Sequence, residues 1–341
     1  MRIAIVGAGA VGSVVAGYLL EGGEHEVALL ARGAQLAALR ERGLAVESRG
    51  RLLRSRPMAS DQPADLGLQD VLFVTVKAHA LPALAPLLSP MIGLDTVVVG
   101  AQNGIPWWYF HGMDGPDGGQ PFETVDPDGA IWRSIGPERA LGCVINLPAT
   151  LVAPGFVQHE GVLGLTMGAP CAGTHDTILR ALAESLTRAG IETKVTSRIR
   201  TPLWVKLMLN SATGTLSVLT GGTVGQILAG PGMGAIRARL MRECLATARV
   251  WGVELVDDID ARIAAGASAA AHKTSMLQDY EAGRPLELDP IVAAVIELAR
   301  RREVPVPTIE TLWSAVQVKL AVDAERGGGA ATLPAATSRT A

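Results

Sequence analysis

The feature that most narrows what this chain can fold into is GAGAVG at residues 7–12, which directly follows the apolar run Ile3-Ala4-Ile5-Val6. A short, wholly apolar run reads as a strand buried on both faces. Ser13–Leu20 then reads as a helix, and HEVALLAR as a second strand. Gly7, Gly9 and Gly12 stand in G-x-G-x-x-G spacing. The first glycine permits a tight turn, the second lets the main chain approach a pyrophosphate, and the third lets the helix pack close to the sheet. The free N–H groups and dipole at the helix N-terminus suit phosphate. Gly7, Gly9, Ala10 and Gly12 are therefore expected to bind a dinucleotide. A positive second residue ahead of an apolar run also resembles a signal peptide, but the strand, turn, helix and strand in this order identify a Rossmann-type parallel-sheet unit.

The end of the second strand bears on which dinucleotide. NAD binders usually carry Asp or Glu there, to hold the ribose 2′-hydroxyl. This chain has LLARGAQ, with Arg32 and no acid. A guanidinium grips a 2′-phosphate through two parallel hydrogen bonds, so NADPH is expected. Val71–Val76 reads as a buried parallel strand with Lys77 at its end, and Thr96–Gly104 as another that ends in Gln102-Asn103-Gly104. Ligands bind outside the C-terminal ends of such strands, which places Lys77 and Asn103 on the nicotinamide side. His79 reads as an incidental helix-start residue.

Composition excludes several classes. A net charge of −3 shows no basic excess for nucleic acid or a membrane surface. Cys143, Cys171 and Cys244 are far apart and odd in number, which favours neither zinc nor disulfides and suits the cytoplasm. The uncharged run Leu207–Ile236 is long enough to span a bilayer, but Gly221-Gly222, Gly225 and Gly230-Pro231 break it into buried helix and turns. Trp107, Trp108, Tyr109 and Phe110 cluster in a chain with only 4% aromatics. They are expected to form either a local core or subunit contact, or a wall of the ligand site.

From Thr201 onward the chain reads as helices. In TPLWVKLMLN, Thr201 suits an N-cap and Pro202 the first helical position. Lys206 and Asn210 share one face with Thr213, Gly214 and Ser217, a polar stripe on an otherwise apolar helix. DDIDARIAAGASAAAHKTSMLQDYEAG reads as one long helix that aligns His272, Ser275 and Asp279, and Glu287 follows the next turn. Spacing alone equally admits a snorkelling Lys206, a solvated face at His272 and Ser275, and a helix start at Glu287.

Taken together, GAGAVG, Arg32, VKA at Val76–Ala78, QNG at Gln102–Gly104, WVKLMLN at Trp204–Asn210, HKTSMLQD at His272–Asp279 and ELD at Glu287–Asp289 resemble the ketopantoate reductase (2-dehydropantoate 2-reductase) family over roughly residues 3–320. The resemblance implies an α/β fold: a Rossmann-type domain over 1–196, an all-α domain over 197–325 for substrate and dimerisation, and a cleft between them. The tail over 326–341 is expected to be disordered. Lys206 corresponds to the catalytic lysine and general acid. Glu287 corresponds to the second acid, which also meets the cofactor. Asn103, Asn210 and Ser275 fall on substrate positions, with Asn103 also on the cofactor side; Arg32 and Lys77 fall on cofactor positions. The implied reaction is NADPH-dependent reduction of 2-dehydropantoate to (R)-pantoate in pantothenate biosynthesis, with no nucleic-acid or membrane partner and room for a homodimer. Gly214 and Val224 stand where the family carries asparagines, and TGTLS replaces INPLT. Thr213 or Ser217 would have to make up for the lost amides. Two alternatives are a relative acting on another 2-keto acid or an imine, and a non-catalytic NADP(H) sensor.

Overall fold

The computed structural model describes residues 1–255 and 271–327. Its contacts divide the chain into two compact units, Met1–Pro202 and Leu203–Ala341. The first is α/β. Strands β1 (Arg2–Val6), β2 (Glu26–Leu30), β5 (Met58–Ser60), β6 (Gln69–Val74), β7 (Ile92–Gly100), β8 (Ala140–Asn146), β11 (Gly164–Gly168) and β12 (Glu192–Val195) form one sheet in the order β12-β11-β8-β7-β6-β1-β2-β5. From β5 across to β8 every pairing is parallel; β11 then runs antiparallel to β8. Ile3, Ile5, Val71, Phe73, Val97, Val99 and Leu141 are fully buried at its centre, as apolar runs on a sheet covered on both faces should be.

A second sheet was not legible in the sequence. Strands β3 (Leu44–Ser48), β4 (Arg51–Ser55), β9 (Ala149–Ala153) and β10 (Phe156–His159) pair in the order β4-β3-β10-β9. The β3–β4 connection is the two-residue loop Arg49-Gly50, both at positive φ, as a tight hairpin demands. Helix α1 (Ala10–Gly22) packs against both sheets, and Gly12–Leu19 are buried without interruption. A methyl group at Gly17 would lie 2.8 Å from Val46 Cγ2, so the glycine sets how closely the small sheet approaches. The Tyr18 hydroxyl bonds Ser48 Oγ at 2.7 Å, Ser48 Oγ bonds His159 Nδ1 at 2.7 Å, and His159 Nε2 bonds the Val162 carbonyl at 2.9 Å. All three side chains are buried.

The remaining helices of this unit are α2 (Gly33–Arg42), α3 (Pro63–Leu66), α4 (Leu81–Leu84), α5 (Ala130–Ile135) and α6 (Asp176–Ala189). Trp107, Trp108, Tyr109 and Phe110 are all buried. Phe110 meets Phe122 edge-on with centroids 5.1 Å apart, and Trp107 meets Trp132 at 6.4 Å. The Arg200 guanidinium lies over Trp108 and Tyr109 and donates to the carbonyls of Tyr109, Pro170 and His111. The aromatics are thus a local core.

The second unit is helical: α7 (Arg200–Thr220), which begins just ahead of the unit boundary, then α8 (Val224–Ala229), α9 (Met233–Val250), α10 (Ser275–Glu281), α11 (Ala294–Arg300) and α12 (Pro307–Gly327). Its described residues hold no strand. Two expectations need correction. Helix α7 starts at Arg200, so Thr201 is inside it rather than its cap. Pro202 is tolerated there because first-turn N–H groups have no helical partner in any case. The expected long helix through His272 does not exist as such. Residues 257–270 of that segment lie outside those described, and α10 begins only at Ser275. Thr274 caps it, its hydroxyl accepting from the Leu277 N–H at 3.2 Å, which leaves His272 ahead of the helix. Nearly all of the expected tail likewise lies outside the described residues. Among these, no helix is long and apolar enough to cross a membrane.

The Tyr18–Ser48–His159 chain gives a direct stability test. Ser48→Ala leaves two buried polar atoms without their bridge, and each such atom costs about 1–3 kcal/mol. Urea denaturation should show a loss of that order in unfolding free energy.

Candidate active site

The geometry begins at the ends of four adjacent strands. Leu30 of β2 pairs with Val6 of β1, Val6 with Val74 of β6, and Val74 with Gly100 of β7. At about 4.8 Å per strand these ends span roughly 14 Å, and each leads into a sequence-predicted cofactor segment. Gly7 follows β1 at φ +101, its N–H donating to the Leu30 carbonyl at 3.0 Å. Thr75 follows β6, donating through its N–H to the Val6 carbonyl at 2.9 Å and through its hydroxyl to the Gly7 carbonyl at 2.6 Å. A methyl group at Gly12 would overlap both the Gly7 carbonyl oxygen and the Thr75 hydroxyl, and would come within 2.9 Å of Ile5 Cγ2. Gly9 is the opposite case. It is exposed at the N-cap of α1, and an added methyl group would meet nothing within 4 Å. The first-turn donors of α1, at and beyond Ala10, therefore border an open face with no side chain over Gly9.

Arg32 is two residues past the end of β2, exposed, at the N-cap of α2. The sequence reading missed Gln35. Its Nε2 donates to the Ala8 carbonyl at 2.7 Å and its Oε1 accepts from the Gly155 N–H at 2.9 Å, which ties α2 to the glycine turn. The strands β6 and β7 start and end earlier than expected, stopping at Val74 and Gly100. Lys77 and Asn103 each follow three residues later, on loops, and both are half-buried. Thr75, the first residue past β6, bonds the glycine turn through its hydroxyl. His79 is exposed.

In the helical unit, Lys206 and Asn210 are half-buried on α7 beside the buried Leu203, Trp204, Leu207 and Met208. Thr213, Gly214 and Ser217 continue the stripe, but all three are buried. The Thr213 hydroxyl accepts from Arg237 Nε at 3.2 Å, and Ser217 Oγ bonds the Gly214 carbonyl at 2.7 Å and Thr274 Oγ1 at 2.6 Å. A side chain at Gly214 would run against Met276, whose Cε would lie 3.3 Å from its Cβ. Thr213 and Ser217 thus have internal partners. The same contacts place Ser275. Its neighbours Thr274 and Met276 touch Ser217 and Gly214, so the exposed Ser275 starts α10 beside the stripe. Glu287 is buried at 7% exposure. Asp279, also buried, pairs with Arg284 at 2.8 Å.

Comparison with known proteins bears on the family and the fold. The family model described as ketopantoate reductase PanE/ApbA matches residues 3–107, and the model of its C-terminal part matches residues 198–320. A 2-dehydropantoate 2-reductase from Mesorhizobium japonicum is 39% identical over 96% of this chain and 99% of its own. A crystal structure from Ralstonia solanacearum, assigned as a ketopantoate reductase, superposes with TM-score 0.87 at 38% identity, covering 96% of this chain and 98% of that one. D-mandelate dehydrogenase with NADH and anilino(oxo)acetate shares the fold alone, at TM-score 0.81 and 22% identity over 94% of this chain and 99% of that one.

The two glycines should separate cleanly in stability. Gly12→Ala forces α1 off β1 and should lower stability by about 1–3 kcal/mol, the usual cost of overpacking. Gly9→Ala, with open space around it, should melt with the parent protein in a thermal scan.

Proposed function

The chain belongs to the ketopantoate reductase family, the oxidoreductases that act on a CH–OH group of this type, and from that premise we propose that it reduces 2-dehydropantoate to (R)-pantoate with NADPH. The reaction would serve pantothenate, and so coenzyme A, biosynthesis in the cytoplasm. The observation that carries this reading is the row of co-terminating strand ends at Leu30, Val6, Val74 and Gly100, combined with a half-buried lysine on an apolar helix.

The residues present fit the cofactor. Gly9 leaves its turn bare, and Gly7, Ala10 and Gly12 shape a helix N-terminus that would receive the pyrophosphate. With no acid at the end of β2, Arg32 would take the 2′-phosphate. Lys77, Asn103 and Glu287 would complete the contacts. Bound NADPH supplies a hydride to the 2-keto carbon. Lys206 would stabilise the negative charge that develops on the carbonyl oxygen and donate the proton. Asn103 would bridge cofactor and substrate. Asn210 and Ser275 would hold the carboxylate and hydroxyl groups, and Glu287 would orient Lys206 or a substrate hydroxyl. Partial burial of Lys206 would strengthen its field, since a charge acts further where water is sparse.

One observation favours a second reading. Thr213 and Ser217 are tied to protein groups and Met276 covers Gly214, so this stretch of α7 offers little to a substrate hydroxyl. A 2-keto acid with a different side chain would then be the better substrate. A panel of 2-keto acids, read by NADPH oxidation, decides between them.

Lys206→Ala should cut kcat by about 10²–10⁴-fold, the usual worth of general acid catalysis, while NADPH still binds; unchanged turnover would end the assignment. Arg32→Ala should raise KM for NADPH far more than for NADH. Equal changes in the two constants would remove the phosphate role.

A further inference from the structure

Arg237, on α9, is only 2% exposed. Its Nε donates to Thr213 Oγ1 at 3.2 Å, while its Nη1 is buried without a hydrogen-bond partner. Burial draws its pKa down, and among the described residues no neighbouring charge counters that effect. Arg200 shows how a buried arginine is normally satisfied: burial lowers its pKa too, yet three carbonyls take its N–H groups and two rings stack on it. Arg237 has one hydroxyl. A guanidinium stays protonated and cannot escape by losing its charge. An unpaired buried charge is unfavourable in a folded core, and departures of that kind concentrate at functional sites.

Its position says what it serves. Lys206, Asn210 and Thr213 stand at i, i+4 and i+7 on α7 and so share one face. Thr213 holds Nε and thereby sets the plane of the guanidinium at the far end of the stripe. The planar fork matches a carboxylate. We propose that Arg237 is a carboxylate-binding residue of the site on α7, taking a carboxylate of the 2-keto acid through its unpartnered Nη1 edge. The proposal rests on the 2-keto acid reading of that face. The carboxylate has two sources: the one next to the reacting carbonyl, or a second one at the far end of a 2-keto diacid. The helical rise puts Thr213 about 10 Å beyond Lys206 along α7, so the two sources are geometrically distinct.

The test is calorimetric titration of the NADP+-loaded protein with 2-dehydropantoate and with 2-oxoglutarate, on the parent, Arg237→Met, Arg237→Lys and Lys206→Ala. Arg237→Met should weaken binding by about 10²-fold, the scale of losing one partner of a buried charge pair, and Arg237→Lys should recover part of it. Loss with both probes identifies the carboxylate beside the carbonyl; loss confined to 2-oxoglutarate identifies the distal one. Without ligand, Arg237→Met should melt no lower than the parent, because it removes a buried unpaired charge. Unchanged affinity for both probes overturns the proposal, as does a lowered melting temperature with affinity preserved. If the methionine variant is insoluble, Arg237→Lys decides in the same way. A parent protein that binds neither probe overturns both the 2-keto acid reading and this proposal. Carboxylate binding that depends on Arg237, in a protein whose turnover does not depend on Lys206, removes only the catalytic assignment.

Discussion

The structure of the first unit hangs on one close approach, that of Gly12 to the Gly7 carbonyl and the Thr75 hydroxyl. It joins three things that have to coincide: the end of β1, the start of α1 and the first residue past β6. With any side chain at position 12 the helix would stand off the sheet, and its free N–H groups would no longer open onto the row of strand ends. Gln35 extends the same arrangement sideways by holding the Ala8 carbonyl, so that α2, and with it Arg32, is referred to the same turn. A parallel sheet presents all its strand ends on one side. These few contacts decide whether that side is a usable surface.

The helical unit solves a different problem. Its helices are apolar enough to form a core, yet α7 carries a line of polar groups along one face. Most of that line is neutralised from within: Ser217 bonds Thr274, Thr213 bonds Arg237, and Gly214 gives way to Met276. Lys206 and Asn210 stand one to two turns before this satisfied stretch, at intermediate burial. A polar group satisfied in the core specifies packing. The same distinction separates Arg200, which stitches together an aromatic core through three carbonyls, from Arg237, which has an edge left over.

The path from sequence to structure failed at informative places. His272 was expected on one helix with Ser275 and Asp279 because a period of 3.6 accommodates all three. Thr274 overrode that period, since a hydroxyl that can accept from the N–H three residues on starts a helix rather than continuing one. That signal was present in KTSMLQ and was outweighed by the longer pattern. The joining of two local hairpins into the small sheet was missed because β3 and β10 are more than a hundred residues apart, and their parallel pairing leaves no local trace. Gln35 and Arg237 were missed for a similar reason: neither has a neighbour in the chain that reveals its partner.

By itself, the sequence determined the order of strand, glycine turn, helix and strand at the front, the absence of an acid after the second strand, the helical back half, and the family. Local sterics and periodicity carry the elements, because each depends on residues close in the chain; the family rests on the resemblance of several short blocks in a fixed order. Only the tertiary structure decided which polar side chains are already satisfied. Thr213 and Ser217 look available on a helical wheel and are bonded in the fold; Arg237 looks like one more surface arginine and lies buried with an unpartnered donor. Hydrogen-bond satisfaction is a property of pairs brought together from distant parts of the chain, and no spacing along one helix encodes it.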